Sequence, residues 1–452
     1  MHTGDSRDTY MHTTTLPQSN NRTETGSDRL TVAVIGLGYV GLPIALLARD
    51  KGYIVSGIDT DPAKRKAIKA RVVADLDPRF ERLLANESLT VSNDYALVHD
   101  ADIIMICVPT PVREDHTPDL EPLKNACRNV GRQLLPGHML IIESTIHPGT
   151  CEEILLPILE EESGLIAGED FGLAHCPERV NPGDDVWTID KIARVIGGST
   201  PSARRQAANF YRSILDAPVH EMETIREAEA VKMVENSFRD INIAFVNELA
   251  MSFTKLNIDV VNVLRGASTK PFGFMLHLPG CGVGGHCIPV DPYYLIDYAR
   301  INGFAHRFLS LAREINNSMP EFTVGLLEEE LTRRGTSLRG AHIALLGLSY
   351  KPNVSDMRES PALEIKEILE KRGATMAIFD PYIPEHSNVH GLREALHGAD
   401  AVVLATSHDA FVELTPDLLQ AEDVSIIIDG RNFLAKDSFA EAGITYRGIG
   451  RS

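Results

Sequence analysis

The chain reads as an α/β protein in which two doubly wound, parallel-sheet domains are joined by a long central helix in a helical middle domain. Three observations lead there. Apolar, β-branched runs alternate with helical stretches near both ends of the chain. A patterned glycine turn follows the first of these runs. Between the two ends, apolar residues recur at steps of three and four from about Arg226 to Leu256, the signature of one long helix. A chain of 452 residues exceeds what one core serves, and the boundaries fall at 29–217, 218–320 and 321–452.

Composition narrows the partners. The content is 43% hydrophobic and 24% charged, ordinary for a globular protein, and the net charge is -19. That charge argues against nucleic acid or an anionic membrane as partner and leaves room for a local basic pocket that takes a small phosphorylated ligand. The cysteines at 107, 127, 151, 176, 281 and 287 form no CxxC pair, which fits a reducing cytoplasm. Residues 1–28 are polar, lack the apolar core of a signal peptide and read as a disordered tail. Residues 30–48 are apolar enough to resemble a membrane span, but their glycines have another explanation.

The first domain opens with the strand Thr31-Val32-Ala33-Val34-Ile35, the turn Gly36-Leu37-Gly38-Tyr39-Val40-Gly41 and a helix over 42–51. This is GxGxxG between a strand and a helix, the context that the Rossmann-like dinucleotide site requires. Gly36 serves the tight turn, Gly38 lets backbone amides approach a pyrophosphate, and Gly41 lets the helix pack on the strand. A second strand over 53–58 ends in Asp59, placed to bind the adenosine ribose diol. Because Asp61 follows and no arginine is adjacent, the site favours NAD over NADP.

Further strands over 103–108 and 139–142 lead into Pro109-Thr110-Pro111 and Glu143-Ser144-Thr145. Ligands gather at the carboxyl ends of strands in such sheets, which assigns Thr110, Ser144 and Thr145 to the site and Cys107 to the core. Ala174-His175-Cys176-Pro177-Glu178 adds a carboxylate to the same rim.

On the long helix the stripe Val231, Val234, Phe238, Ile241, Phe245, Leu249, Phe253 and Leu256 is expected to be buried. Lys232 and Asn236 lie one turn apart on a second face, with Ile243 and Asn247 farther along it. Lys232 is therefore expected to point into a site. The flanks of so long a helix call for burial elsewhere, which predicts a homodimer.

Residues 279–294 are too rich in glycine and proline for a helix or an interior strand and form a loop around Cys287, with His286 beside it and Asp291 beyond. A thiol on such a loop is a candidate nucleophile. His277, Cys281, His286 and Cys287 do not have the spacing of a metal set. After Pro320 come strands over 341–346, 376–379, 401–405 and 425–428, the sheet of a second Rossmann-like domain. Its first turn, Gly347-Leu348-Ser349-Tyr350-Lys351-Pro352, departs from GxGxxG. Lys351 and Arg358 give it a cationic rim suited to a phosphorylated ligand.

Gly36 to Pro43, Ser144-Thr145 with Pro148-Gly149-Thr150, Pro177-Glu178, Glu229-Ala230-Val231-Lys232 with Asn236, Gly284-Gly285-His286-Cys287-Ile288-Pro289 with Asp291, and Ser349-Tyr350-Lys351-Pro352 with Arg358-Glu359-Ser360-Pro361 together resemble the UDP-glucose/GDP-mannose dehydrogenase family. The resemblance implies oxidation of a nucleotide sugar at its 6-hydroxymethyl group to a uronic acid, with two NAD consumed. It implies that Cys287 forms a thiohemiacetal and then a thioester, that Lys232 and Asn236 stabilise the oxyanion, and that Asp291, Thr145 and Glu178 hold or activate water. It further implies that Gly284, Lys351 and Arg358 contact the substrate and that Tyr39 and Val40 line the cofactor turn. The loop around Cys287 resembles the UDP-N-acetylhexosamine branch. UDP- or TDP-glucose is the alternative substrate, and a non-catalytic NAD-binding regulator the alternative of another class.

Overall fold

In the computed structural model the described residues are 29–451 apart from 74–75, 87–88, 112, 114–117 and 181–186, and the expected tail lies outside them. They form two units. One comprises the chain up to Thr110 together with Leu120–Glu229, and the other comprises Pro111–Asp119 and everything from Ala230 onward.

The first unit is built on an eight-stranded sheet. Its strands are β1 (Thr31–Ile35), β2 (Ile54–Ile58), β3 (Thr90–Ser92), β4 (Ile103–Ile106), β5 (Met139–Ile142), β6 (Gly172–His175), β7 (Arg194–Gly198) and β8 (Val219–Glu221). Their order is β3-β2-β1-β4-β5-β6-β7-β8, parallel except where β7 meets β6. All four residues of β4 and of β5 are buried, as strands covered on both faces must be, which explains their unbroken apolar runs. The order reverses between β1 and β4, so the switch point, where ligands bind in such sheets, lies beside the Gly36 turn.

The second unit carries β9 (His342–Leu346), β10 (Thr375–Phe379), β11 (Ala401–Leu404), β12 (Ile426–Asp429) and β13 (Thr445–Gly448) in the order β10-β9-β11-β12-β13, all parallel. The expected strands are present. β13, with Thr, Tyr, Arg and Gly, is too mixed in character to stand out in the sequence.

Two long helices differ from expectation. Ile225–Leu256 is one helix, yet Val234, Phe238, Phe245 and Leu256 on its bulky stripe are exposed in the single chain. The buried face instead carries Ala228, Lys232, Met233, Ser237, Asp240, Ala244, Asn247 and Ala250. Periodicity located the helix but assigned its buried side to the larger apolar residues, whereas the fully buried side carries mostly small and polar groups beside Met233 and Val246, and of the stripe Leu249 and Phe253 pack partly against the core. The helix Arg307–Arg333 runs straight through Pro320, next to the expected domain boundary. A proline reads as a break because it removes an amide and crowds the preceding turn. Here it is itself buried in the helix, and the second unit continues across it. No helix among the described residues is long and apolar enough to cross a membrane.

Candidate active site

In the first unit the Gly36 turn has the form the spacing predicts. Gly36 adopts φ +88°, and its amide donates to the Ile58 carbonyl at 2.8 Å. A Cβ on Gly41 would lie 1.9 Å from the Gly36 carbonyl oxygen, so only glycine allows the helix Gly41–Asp50 this close to the strand. Around Gly38, by contrast, the space is open to 4 Å. The helix starts without a side-chain cap, leaving its amino-terminal dipole to an incoming anion. Tyr39 is exposed and Val40 half-buried at the lip of the turn.

Asp59 is buried beside this turn. Its Oδ2 accepts the Leu37 amide at 2.8 Å and its Oδ1 the Asp61 amide at 2.8 Å. Arg65, which sequence spacing did not bring to notice, donates from Nη1 to the Asp59 carbonyl oxygen at 2.8 Å. An open turn, an uncapped helix and an acid fixed at the end of β2 fit a dinucleotide carrying a free ribose diol. The Thr110 hydroxyl donates to the Thr145 carbonyl oxygen at 2.7 Å, and Ser144 Oγ to that of Val108 at 2.7 Å. The predicted trio is therefore brought together where β4 and β5 end. Cys107 lies behind it, its thiol pushed well up, first by burial and then by the charge of Glu143.

Glu178 is buried, and both of its oxygens are engaged. Oε1 accepts the amides of Arg179 at 2.6 Å and Val180 at 2.5 Å, while Oε2 accepts Nη1 of Arg194 at 2.9 Å. Arg194 has no solvent exposure and lies 3.9 Å from Glu143, which also accepts the Tyr211 hydroxyl. Burial is the largest influence on Glu143 and raises its pKa against the pull of Arg194. Sequence reasoning missed Arg194, although a charge at the head of an apolar strand was the available signal. It quoted Glu229 in a motif but gave it no role; the Glu229 oxygens accept the amides of Gly149 at 2.6 Å and Cys151 at 2.8 Å and so fix the turn after Thr145.

In the second unit Lys232, Asn236 and Asp291 converge. Asn236 Nδ2 donates to Asp291 Oδ2 at 2.5 Å, and both Lys232 and Asp291 are buried. Burial pushes the Asp291 carboxyl up to about 6, with the Lys232 ammonium and the Asn236 amide pulling the other way. Cys287 is half-buried just before the helix Asp291–Ile301. Its carbonyl accepts the amides of Val290 at 3.1 Å and Asp291 at 2.8 Å. The backbone of Cys287 is therefore tied to the amino terminus of that helix.

The glycines of the loop serve contact within the fold. Gly285 adopts φ +92°, and a Cβ there would lie 2.8 Å from the Tyr350 ring; one on Gly284 would lie 2.7 Å from the Glu359 carbonyl oxygen. The Gly285 amide donates to the Arg358 carbonyl oxygen at 3.0 Å, and Arg358 Nη2 donates to His286 Nδ1 at 3.3 Å. His286 therefore accepts as a neutral ring, its pKa pushed down to about 4 by burial first and by Arg358 second. Arg358 also grips Asp356, with Nη2 to Oδ2 at 2.6 Å. Lys351 is half-buried on the same loop, and a cavity of 380 Å³ opens beside Asp356, Arg358, Glu385 and His386. Tyr350 is a further residue that the sequence did not single out. Its phenol pKa is raised by burial, by Asp356 and by the neighbouring Cys287. Cys281 is buried and structural, its amide donating to the Gly430 carbonyl at 2.9 Å.

Comparison with known proteins covers nearly the whole described chain. Three family models match in order: UDP-glucose/GDP-mannose dehydrogenase family, NAD binding domain, over residues 30–215; the central domain over 226–318; and the UDP binding domain over 344–436. A UDP-N-acetyl-D-mannosamine dehydrogenase of Pyrococcus horikoshii is 37% identical over 427 residues, 93% of this chain and 99% of the relative. A UDP-N-acetyl-D-glucosamine 6-dehydrogenase of Pseudomonas aeruginosa is 36% identical over 388 residues, 84% of this chain and 91% of the relative. Among solved structures, that of a UDP-D-ManNAc dehydrogenase from Pyrococcus horikoshii superposes with a TM-score of 0.87 at 37% identity, covering 93% of this chain and 99% of that one.

Proposed function

The chain belongs to the UDP-glucose/GDP-mannose dehydrogenase family and is an NAD-dependent nucleotide-sugar dehydrogenase, and from that premise we propose that it oxidises a UDP-N-acetylhexosamine at its 6-hydroxymethyl group to the uronic acid through Cys287. The observation that carries this reading is the convergence of Lys232, Asn236 and Asp291 at the base of a loop that holds Cys287 at a helix amino terminus.

The overall reaction takes one CH₂OH group, two NAD⁺ and one water to one carboxylate, two NADH and three protons. Bound NAD supplies the hydride acceptor, one molecule for each two-electron step. Asp291, with its raised pKa, is suited to take a proton at pH 7 and return it. Once an aldehyde is present, the Cys287 sulfur forms a bond to its carbon and gives a thiohemiacetal. Lys232 and the Asn236 amide face the oxygen that becomes negative. Loss of the second hydride leaves a thioester on Cys287. Water then attacks that carbonyl, the carbon–sulfur bond breaks, and the thiol is restored. In this reading Thr145 and Glu178 hold water, the latter fixed in place by Arg194. Gly284, Lys351 and Arg358 serve the nucleotide-sugar side.

The exposed bulky stripe of the helix Ile225–Leu256 supports assembly as a homodimer, and six free thiols suit a reducing cytoplasm. The reading is tested by giving the purified protein excess NAD and an equimolar panel of UDP- and TDP-linked glucose, N-acetylglucosamine, N-acetylgalactosamine and N-acetylmannosamine, read by mass spectrometry. One UDP-N-acetylhexosamine is expected to gain the mass of a carboxylate with two NADH formed per sugar. Oxidation of a glucose nucleotide instead moves the chain to the other branch. NAD binding with no member oxidised overturns the proposed substrate and leaves a nucleotide sugar outside the panel, or a non-catalytic NAD-binding regulator, as the reading.

A further inference from the structure

We propose that a buried polar chain made of Asp240, Asn247, Arg313 and Asn316 positions the Cys287 loop by holding it at both ends. The inward face of the helix Ile225–Leu256 continues past Lys232 and Asn236 to Asp240 and Asn247, neither of which has any solvent exposure. Across from them, Arg313 and Asn316 of the helix Arg307–Arg333 are also buried. Arg313 Nη1 donates to Asp240 Oδ1 at 2.6 Å, and Asn316 Nδ2 donates to the same oxygen at 2.8 Å and to the Asp240 carbonyl at 3.0 Å. Asn247 Nδ2 then donates to Asn316 Oδ1 at 2.9 Å.

The chain reaches the loop from two sides. Asn247 Oδ1 accepts the Gly280 amide at 3.0 Å, at the start of the loop. Arg313 Nη2 donates to Asn317 Oδ1 at 2.5 Å, Asn317 Nδ2 donates to the Tyr293 hydroxyl at 3.4 Å, and the guanidinium lies 5.7 Å from the Tyr293 ring centre. Tyr293 is in the first turn of the helix that begins at Asp291. A buried ion pair is a poor way to gain stability, because desolvation of both charges offsets their attraction and apolar side chains of like volume serve as well. What such a pair gives is a fixed geometry, since each donor must meet its acceptor. Here that geometry sets the backbone on either side of Cys287 and, one turn along the same helix, Asn236. These are positioning residues: none is placed against the reacting atoms.

The inference rests on Cys287 being the nucleophile, and its test uses a readout that needs no sugar. In Asn247→Leu, which removes the bonds to Gly280 and Asn316, the rate and pH profile of Cys287 alkylation by iodoacetamide are followed by mass spectrometry of its peptide. Measurements are made well below the melting temperature of each variant. The alkylation rate at pH 7 is expected to change by ~3-fold or more with a displaced profile, and kcat to fall by ~10-fold or more with KM for the sugar nucleotide within ~3-fold. Tyr293→Phe, which removes only the hydroxyl contact and is expected to fold, should move both readouts the same way to a smaller extent, and it decides the matter if Asn247→Leu does not fold. Wild-type alkylation in the folded variants overturns the proposal, as does a loss carried by KM alone. If the wild-type protein oxidises no sugar of the panel, the proposed substrate falls, while the alkylation arm still decides the positioning role.

Discussion

At the scale of single residues, Cys287 and Asp291 carry the sharpest expectations. Cys287→Ala should cut uronic acid formation by at least ~10³-fold while leaving NAD binding intact, as followed by NADH release and by cofactor titration. For Asp291, the folded protein favours the neutral carboxyl, with the pKa pushed up from 3.8 to about 6. Between those two values the folded state binds more protons than the unfolded chain, so this contribution to stability is full below the lower value and is lost as pH rises through the upper one. Melting temperature measured from pH 4 to pH 7 should therefore depend less on pH in Asp291→Asn than in the wild type. The activity profile should show its acid limb near 6 in the wild type. Gly285→Ala joins a left-handed backbone to a clash with Tyr350, a cost of about 1–3 kcal/mol for the backbone alone. Trimming the ring in Gly285→Ala/Tyr350→Ala should recover only part of the lost melting temperature. The sequence singled out Lys232 and Asn236 by their spacing on one helix face and Cys287 by its glycine-rich loop, and the structure brings Asn236 against Asp291. It assigned Tyr350 and Arg194 no role, because what matters for them is what lies against them across long stretches of chain.

At the scale of elements, the helix Ile225–Leu256 shows what periodicity can and cannot say. Its length and register were legible, because steps of three and four identify a helix whatever surrounds it. Its buried side was not, because both faces are unlike water-facing surface: one is bulky and apolar, the other small and polar with internal partners. The bulky face gives a direct expectation. If the proposed homodimer forms through it, Phe238→Glu together with Phe245→Glu should leave the fold intact by circular dichroism and shift the sedimenting species from dimer to monomer, since a charge on each ring position cannot be buried cheaply. Unchanged sedimentation would remove this face from the assembly. The central strands, by contrast, were legible, while the short or edge-side β3, β7 and β8 were not expected. β4, β5, β11 and β12 are short apolar runs buried on both sides, whereas β13 mixes its residues and escaped notice.

At the scale of the whole molecule, the two sheets and their glycine turns could be read from the sequence, but the continuity of the helix Arg307–Arg333 across residue 320 could not. The third domain was expected to begin at 321 because the run of strands resumes after Pro320. The helix Arg307–Arg333 instead carries the polar contacts of Arg313 and Asn316 on one side of that proline and apolar residues of the second unit's core, such as Leu327 and Leu331, on the other. The Cys287 loop likewise takes its backbone partners from Arg358 and Gly430, far along the chain. That interlocking has a consequence for recombination. Two relatives crossed over at residue 321 would inherit the Cys287 loop from one parent and its supports from the other, with Gly284 and Gly285 facing a foreign Tyr350 and Glu359. Hybrids joined between 281 and 361 are therefore expected to lose function more often than those in which this whole span comes from one parent, even when the parents share their chemistry. The heritable unit of this enzyme is the loop together with the strand ends that cradle it.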